Sequence, residues 1–403
     1  MIKKQRLISS IVIILITLIL FAIFYIQGKK QSENNLQNFV TGYNANTARA
    51  KVISIIEEGK LTLGNRDQLY QILSVEVLDG NYQGQILQVD YGIQNVISTQ
   101  DFIRQNDTIL VNIGERPDTG EIRAFFADFD RQKSLIILFI LFVIFSIVIS
   151  GWKGLRSLVG IAFSLVIILF YILPQILAGK DPVLASITGA FFFLSVSLYL
   201  VYGWNLKTHS AVIGIFISLI ITGLLSAFFI NFNRLTGFGD ENVLFLTQMT
   251  STQINMKGLL LAGMLIGALG VLDDLVISQS SSVFELYAAN NTLSFKFLYK
   301  RSMNIGKDHV AATVNTLFLA YAGASLPMLL LFSFNTQDPW LTINMSLIAE
   351  EIVRTLVGSI GLFISIPMTT ALAAYVATNQ KNYPWLNRYF GPDNQWDGHV
   401  HHH

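Results

Sequence analysis

The chain has 403 residues, 52% of them hydrophobic and 13% charged, against about 25% charged in an average soluble domain; this is the composition of a membrane protein. Its net charge of +1 lacks the clustered basic excess that nucleic acid calls for. With no cysteine, disulfides, thiolate nucleophiles and cysteine-bound metals are excluded.

A hydrocarbon core of about 30 Å needs roughly 20 apolar residues per helix, and the segments that qualify are approximately 8–26, 134–150, 157–178, 183–202, 210–230, 257–277, 310–333 and 352–377. Eight transmembrane helices are therefore expected. The first follows "MIKKQR" and offers no small-x-small cleavage site, so residues 1–28 read as a retained anchor and not as a signal peptide. Lys3, Lys4 and Arg6 put the amino terminus in the cytoplasm. Alternation from there brings "GWKGLRS", "GWNLKTH", the "KFLYKR" segment and "NQKNYPWLNR" to the same side. Both termini are thus expected in the cytoplasm, with residues 27–133 outside and the chain in a bacterial plasma membrane.

Residues 29–133 read as a separate extracytoplasmic β domain. After the polar "GKKQSENNLQN" come five alternating runs, "ARAKVISI", "YQILSVEVL", "GQILQVDYGI", "DTILVNIG" and "IRAFFADF", divided by Gly, Asn and Asp. Five short strands in this length suggest a small barrel of the OB or SH3-like kind. No histidine cluster, nucleophile pair or phosphate loop occurs in it, so a structural or partner-binding module is expected and nucleic acid is not.

Residues 134–378 read as a seven-helix membrane domain. In its sixth span of the whole chain, Gly263, Gly267, Gly270, Asp274, Ser278, Ser281 and Glu285 fall on one helical stripe of tiny or polar residues. Glycines admit a neighbouring helix closely, and the stripe reading turns Asp274 inward as a titratable, cation-attracting group. Asp273, about 100° away, is expected to reach the headgroups or a basic residue; the plainer alternative is that both acids mark a water-facing helix end. The alternative to a helix end at the acids is a helix that runs on through "LVISQSSSVFEL". Residues 278–308 contain Phe284, Phe295, Phe297, Leu298, Lys296, Lys300 and Arg301, which suits an interfacial cytoplasmic segment whose aromatics anchor and whose cations meet anionic lipid.

The seventh span aligns His309, Ala312, Thr316, Ala320, Gly323 and Pro327, with Asn315 beside them as an amide that wants a partner across a helix interface. Asp308 and His309 at its start read either as a cation or proton relay or as a cap and an exposed ring; no metal centre and no cofactor are assigned. The last span places Arg354, Gly358, Gly361, Ser365 and Thr369 on one face, with Glu350 four residues before Arg354 and able to pair with it. Pro367 is expected to bend this helix. Residues 379–403 form a cytoplasmic tail ending in His399, His401, His402 and His403, which reads as an expression-tag remnant.

"GALGVLDDLVISQSSSVFEL", "GKDHVAATVNTLFLAYAGASLP" and "EEIVRTLVGSIGLFISIPMTT" resemble the signature segments of the YibE/F-like family of bacterial multi-pass membrane proteins, over roughly residues 135–378. In that resemblance the second acid and the following Gln fall on Asp274 and Gln279. The amino-terminal anchor and barrel correspond to the longer type of member, often encoded beside a shorter one, which implies a hetero-oligomer with a shorter YibE/F-like protein or a homo-oligomer. The resemblance brings no established activity. The expectation is a transporter or permease-like protein moving an ion or small solute, with Asp274, Asn315 and Arg354 central and Ser278, Gln279 and Thr369 lining. The rival is an assembly or regulatory scaffold whose Gly263, Gly267, Gly270, Gly323, Gly358 and Gly361 faces pack against partner subunits. An enzyme is not expected, since no metal triad or nucleophile elbow is present.

Overall fold

The computed structural model describes residues 46–63, 66–93, 102–115, 122–250, 252–333, 338–380, 382–383, 385 and 391. The expected anchor span 8–26 and the histidine tail lie outside the described residues. The chain divides into two units, one ending at Val148 and the other continuing from Ile149.

The first unit is a closed five-stranded barrel. Its strands are β1 (Asn46–Leu63), β2 (Arg66–Val77), β3 (Ile86–Tyr91), β4 (Thr108–Glu115) and β5 (Ile122–Phe129). They close in the order β1-β2-β3-β5-β4, with β3 and β5 parallel and the other pairings antiparallel. That Greek-key order is the OB arrangement, which resolves the choice left open between OB and SH3-like barrels. Period-two alternation builds the core: Ala48, Ala50 and Val52 of β1, Leu73, Val75 and Val77 of β2, and Ile109, Val111 and Ile113 of β4 point inward. Tyr91, Phe126 and Phe129 pack edge to face at one side. The buried Gln71 amide donates to the Ile103 carbonyl (3.2 Å) and accepts from its N–H (3.1 Å), so a side chain does the work of a strand partner for that segment.

Helix α1 (Gln132–Leu177) is 46 residues long, too long for one bilayer crossing. Gly151, at φ 56° and ψ −134°, divides it, in the left-handed region that a side chain disfavours. The expected spans 134–150 and 157–178 are its two arms. In the first arm Leu135, Phe139, Phe142, Phe145 and Ile149 are all exposed, as hydrocarbon-facing residues would be. In the second, Pro174 lacks an N–H, and the ladder widens into a π-helical turn at Ile168–Ile172 just before it.

The second unit continues with α2 (Pro182–Tyr202), α3 (Leu206–Phe232), α4 (Glu241–Met249), α5 (Met256–Ala289), α6 (Phe295–Ala324), α7 (Leu326–Ser333), α8 (Pro339–Ile343) and α9 (Ser346–Asn379). Polar caps start them where the pattern turns apolar: Asp181 accepts from the N–H of Val183 and Leu184, Asn205 from Thr208, and Asn255 from Gly258. Among the described residues five helices are long and apolar enough to cross a membrane: α1, α2, α3, α5 and α9. The expected span 310–333 is divided at Ser325, two residues before Pro327, into α6 and α7, and neither piece qualifies by length and composition.

α3, α5, α6 and α9 form the packed centre. Residues 278–308, expected as an interfacial segment, are helical apart from a short link. They are the end of α5 and the start of α6, an antiparallel hairpin whose Val283, Phe284, Tyr287 and Leu298 pack with Leu206 and with Ala373, Ala374 and Ala377 of α9. Phe284, expected with the other aromatics as a lipid anchor, is a core residue, as is Leu298; Phe295 and Phe297 remain exposed.

In the barrel, Asp79 accepts from the Arg49 side chain and from the Arg49 backbone N–H, both at 2.7 Å. These bonds, the side-chain one first, hold its carboxyl below the ordinary value of 3.8. A lowered folded value means that the contribution is complete above the ordinary carboxyl range and disappears as pH falls through the lowered one. The protection factor of the Arg49 amide, its exchange relative to the intrinsic rate at the same pH, should therefore fall in acid in the wild type. In Asp79→Ala it should be low already at neutral pH; equal protection of the two proteins at pH 7 would remove this role.

Candidate functional site

The crossing of α3 and α9 is lined by hydroxyls and glycines where hydrocarbon would be expected. On α3, Gly214, Ser218, Thr222 and Ser226 recur every fourth residue and share a face. Across from them lie Thr369, Ser365 and Gly361 of α9. A Cβ on Gly214 would sit 2.7 Å from Thr369 Oγ1, and one on Gly361 would collide with Thr222 Oγ1, so the two helices run antiparallel with their backbones close. Ser218, Thr222, Ser226, Ser365 and Thr369 are all essentially inaccessible.

Each of these hydroxyls has to find an acceptor without water. Ser218 donates to the Gly214 carbonyl (2.8 Å), Thr222 to Ser218 (2.8 Å) and Ser365 to Leu362 (2.8 Å), all within their own helix. Thr369 Oγ1 and Ser226 Oγ are buried with no hydrogen-bond partner among the described residues.

Beside this seam Gln279 ties three helices. It is 1% exposed, and its Nε2 donates to the Ser302 carbonyl of α6 (3.0 Å) and to Thr370 Oγ1 of α9 (2.7 Å). Gly306 leaves the room: a Cβ there would lie 2.9 Å from Gln279 Oε1 and 2.6 Å from Ile366. Gln279 Oε1 and Ser302 Oγ are themselves without a partner.

A buried ionisable group stands near each end of the seam. Glu350, 5% exposed, accepts through Oε1 from the N–H of Gly237 (3.1 Å) and Gly239 (3.3 Å), in the loop that follows α3. Gly237 has φ 79°, and a Cβ on it would strike the Met256 carbonyl. At the other end Lys207, also 5% exposed, lies two turns before Gly214 on the same face of α3, and its carbonyl accepts from Ser280 Oγ of α5 (2.8 Å). No ion pair to Lys207 occurs among the described residues.

The residues singled out in the sequence do not converge. Asp274, expected inward, is exposed, and so are Gly263 and Gly270 above it; nothing lies within 4 Å of a Cβ built on either glycine. The reason is that α5 turns its large apolar face, Leu265, Leu269, Leu272, Leu275 and Val276, to its neighbours and leaves the small stripe outside. Asp273 is the more enclosed acid, half-buried, with Oδ1 buried and without a partner. Ser278 is half-buried and accepts at its carbonyl from Ser282 (3.0 Å). Gly267 faces the Tyr321 hydroxyl, and Gly358 lies near Leu317.

On α6, Asn315 and Gly323 are exposed, Asp308 is exposed and His309 half-buried. Among the described residues no three His, Asp or Glu side chains gather around a metal position. Arg354 does not pair with Glu350: its Nη1 contacts Glu351 Oε1 at 2.9 Å, one turn back on α9, and Glu350 is taken by the glycine loop. Thr369 belongs to the seam, and Gln279 joins it through Thr370. Sequence reading missed Lys207, Glu350's loop contact and the α3 line; the four-residue spacing of Gly214, Ser218, Thr222 and Ser226 was the available signal.

Five apolar helices of membrane length among the described residues define an integral membrane protein. Residues 138–379 match the family described as YibE/F-like protein, and the chain belongs to that family. No curated protein and no solved structure matches it.

The seam and the open stripe respond oppositely to one added methyl. Gly361→Ala forces α9 off Thr222 and should lower stability by about 1–3 kcal/mol, the usual penalty of overpacking. Gly270→Ala, with open space around it, should leave the purified chain unchanged or slightly stabilised through helix propensity. Melting curves of the detergent-solubilised variants compare them; equal loss in both would contradict the packing described.

Proposed function

We propose that the chain is a permease-like transporter of the plasma membrane, moving an ion or small solute, and that it is not an enzyme. The observation that carries this reading is the hydroxyl seam between α3 and α9. Five hydroxyls turned into the interior of one crossing line it with hydrogen-bonding groups, as a path for a polar solute requires; the same small residues also serve close helix packing, and the transport assay below separates the two. Thr369 and Gln279 belong to this path, and Arg354 with Glu351 stands toward its Glu350 end.

The orientation follows from the basic loops: eight spans, both termini in the cytoplasm, and the barrel outside as a module that meets an envelope component. Single cysteines at Asn81 and Asn290, both exposed, should react with an impermeant thiol reagent from opposite sides of the membrane. Labelling from one side overturns the orientation.

A second reading, an assembly or regulatory scaffold, is favoured by one feature. Gly263, Gly270 and Asp274 on α5 and Asn315 on α6 are exposed with no partner among the described residues. A helix of a partner subunit, either a second copy or a shorter family member, would cover the glycines and give Asp274 and Asn315 hydrogen bonds. Under it, Gly270→Leu leaves the isolated chain stable but releases the partner on mild extraction.

Transport itself is tested with the reconstituted full-length chain against a panel of ions and neutral solutes. At least one should equilibrate faster than in protein-free vesicles. A panel in which nothing moves, together with a stoichiometric partner on extraction, replaces the transporter by the scaffold.

A further inference from the structure

Resting on the transport reading, the geometry points to a small uncharged hydrogen-bonding solute as the species that the α3–α9 seam passes. Between the levels of Thr369 and Ser226 the polar side chains of the seam are hydroxyls alone: Ser218, Thr222 and Ser226 on α3, Ser365 and Thr369 on α9. An ion entering there gives up its hydration and meets no counter-charge, a loss that neutral dipoles in so narrow a space do not offset.

The ends act in the same sense. Lys207 stands on the α3 face at one end and opposes cations; Glu350 stands at the other and opposes anions. A pathway guarded by both signs rejects either charge and leaves a neutral solute unhindered.

What such a solute needs is supplied. Thr369 Oγ1 and Ser226 Oγ are buried and without partners, so each has a donor and lone pairs to offer. Thr369 Oγ1 is aimed at the crossing, against Gly214. Ser218, Thr222 and Ser365 spend their protons on carbonyls of their own helices and keep oxygen lone pairs as acceptors.

The same self-contained bonding lets the seam part. Because those hydroxyl bonds stay within one helix, separating α3 from α9 at their level breaks contacts between small side chains and leaves the bonds in place. In the structure the seam is shut, for Gly361 and Thr222 leave no space. Ile230, Val353 and Val357 form an apolar plug beyond Ser226, and Glu350 clasps the loop after α3 to α9. Passage therefore requires release of the clasp and separation at the plug.

The test uses the full-length chain in liposomes, with glycerol and urea influx followed by stopped-flow light scattering and tracer sodium and chloride followed in parallel. Thr222→Val and Thr369→Val keep the shape and remove a hydroxyl; Ser226→Ala is a milder companion should a valine variant fail to fold. The wild type should speed glycerol or urea entry while sodium and chloride remain at the protein-free rate. Each hydroxyl removed should slow entry by about three- to tenfold, the effect of one hydrogen bond at the barrier. Sodium or chloride flux through the wild type overturns the neutral-solute assignment. Variants that melt and elute like the wild type yet carry glycerol or urea at its rate overturn the seam as the path, with transport still standing. If none of the four probes moves, the inference fails; the transport reading falls with it only when the wider panel is also silent.

Discussion

A hydroxyl or amide buried in hydrocarbon with no acceptor costs several kcal/mol, and the membrane unit is arranged around that penalty. Its helices solve it in two ways. Along the α3–α9 crossing Ser218, Thr222 and Ser365 turn back on their own helices, so these hydroxyls are quieted locally, while Ser226 and Thr369 are left without partners among the described residues, and the two backbones approach as closely as glycine allows. At Gln279 the solution is reached between helices, with one amide donating to α6 and to α9 together. The first device makes contacts that separate easily, and the second makes one that does not. The unit thus holds a closely packed seam without side-chain hydrogen bonds across it, beside a hydrogen-bonded pin.

That contrast organises the rest of the bundle. α5 and α9 converge on the pin and carry on into the hairpin core built around Phe284, Leu298 and Ala374, a conventional apolar cluster. The opposite end is held by a carboxylate on a glycine loop, where Gly237 and Gly239 present backbone N–H groups that only residues without side chains bring so near. Cohesion at the two ends therefore differs: apolar packing holds one, and at the other a charge-assisted clasp is added to the apolar cluster of Ile230, Val353 and Val357.

Much of this was legible in the residues. The five alternating runs of the barrel and the apolar stretches of α1, α2, α3, α5 and α9 follow from periodicity, which reports directly on burial. Three features escaped for physical reasons. The α5 stripe was correct as a face, but periodicity does not say which neighbour a face meets; Leu272 and Val276 outweighed the glycines and turned Asp274 outward. The α3 hydroxyls stood singly among isoleucines and leucines, so no local window looked polar, and their meaning depended on Thr369 and Ser365 more than a hundred residues away. Arg354 had two acids within reach, Glu350 and Glu351, and the choice was made by the distant Gly237 loop, which sequence spacing on α9 does not encode.

The length of α5 carries one more consequence. Its 34 residues span roughly 50 Å at 1.5 Å per residue, well beyond a hydrocarbon core of about 30 Å, and the excess lies on the Ala289 side of Asp273 and Asp274. Membranes differ in thickness by several ångströms, and this helix meets such differences asymmetrically. A thinner bilayer uncovers apolar side chains, a graded and small expense. A thicker one reaches the paired acids and must immerse a carboxylate, for which insertion scales give about 2.5–3.5 kcal/mol at the helix centre. The residues from Met256 to Leu272 cover only roughly 25 Å, so the two aspartates would resist a thicker bilayer, and the protein is expected to favour membranes with a thin hydrocarbon core.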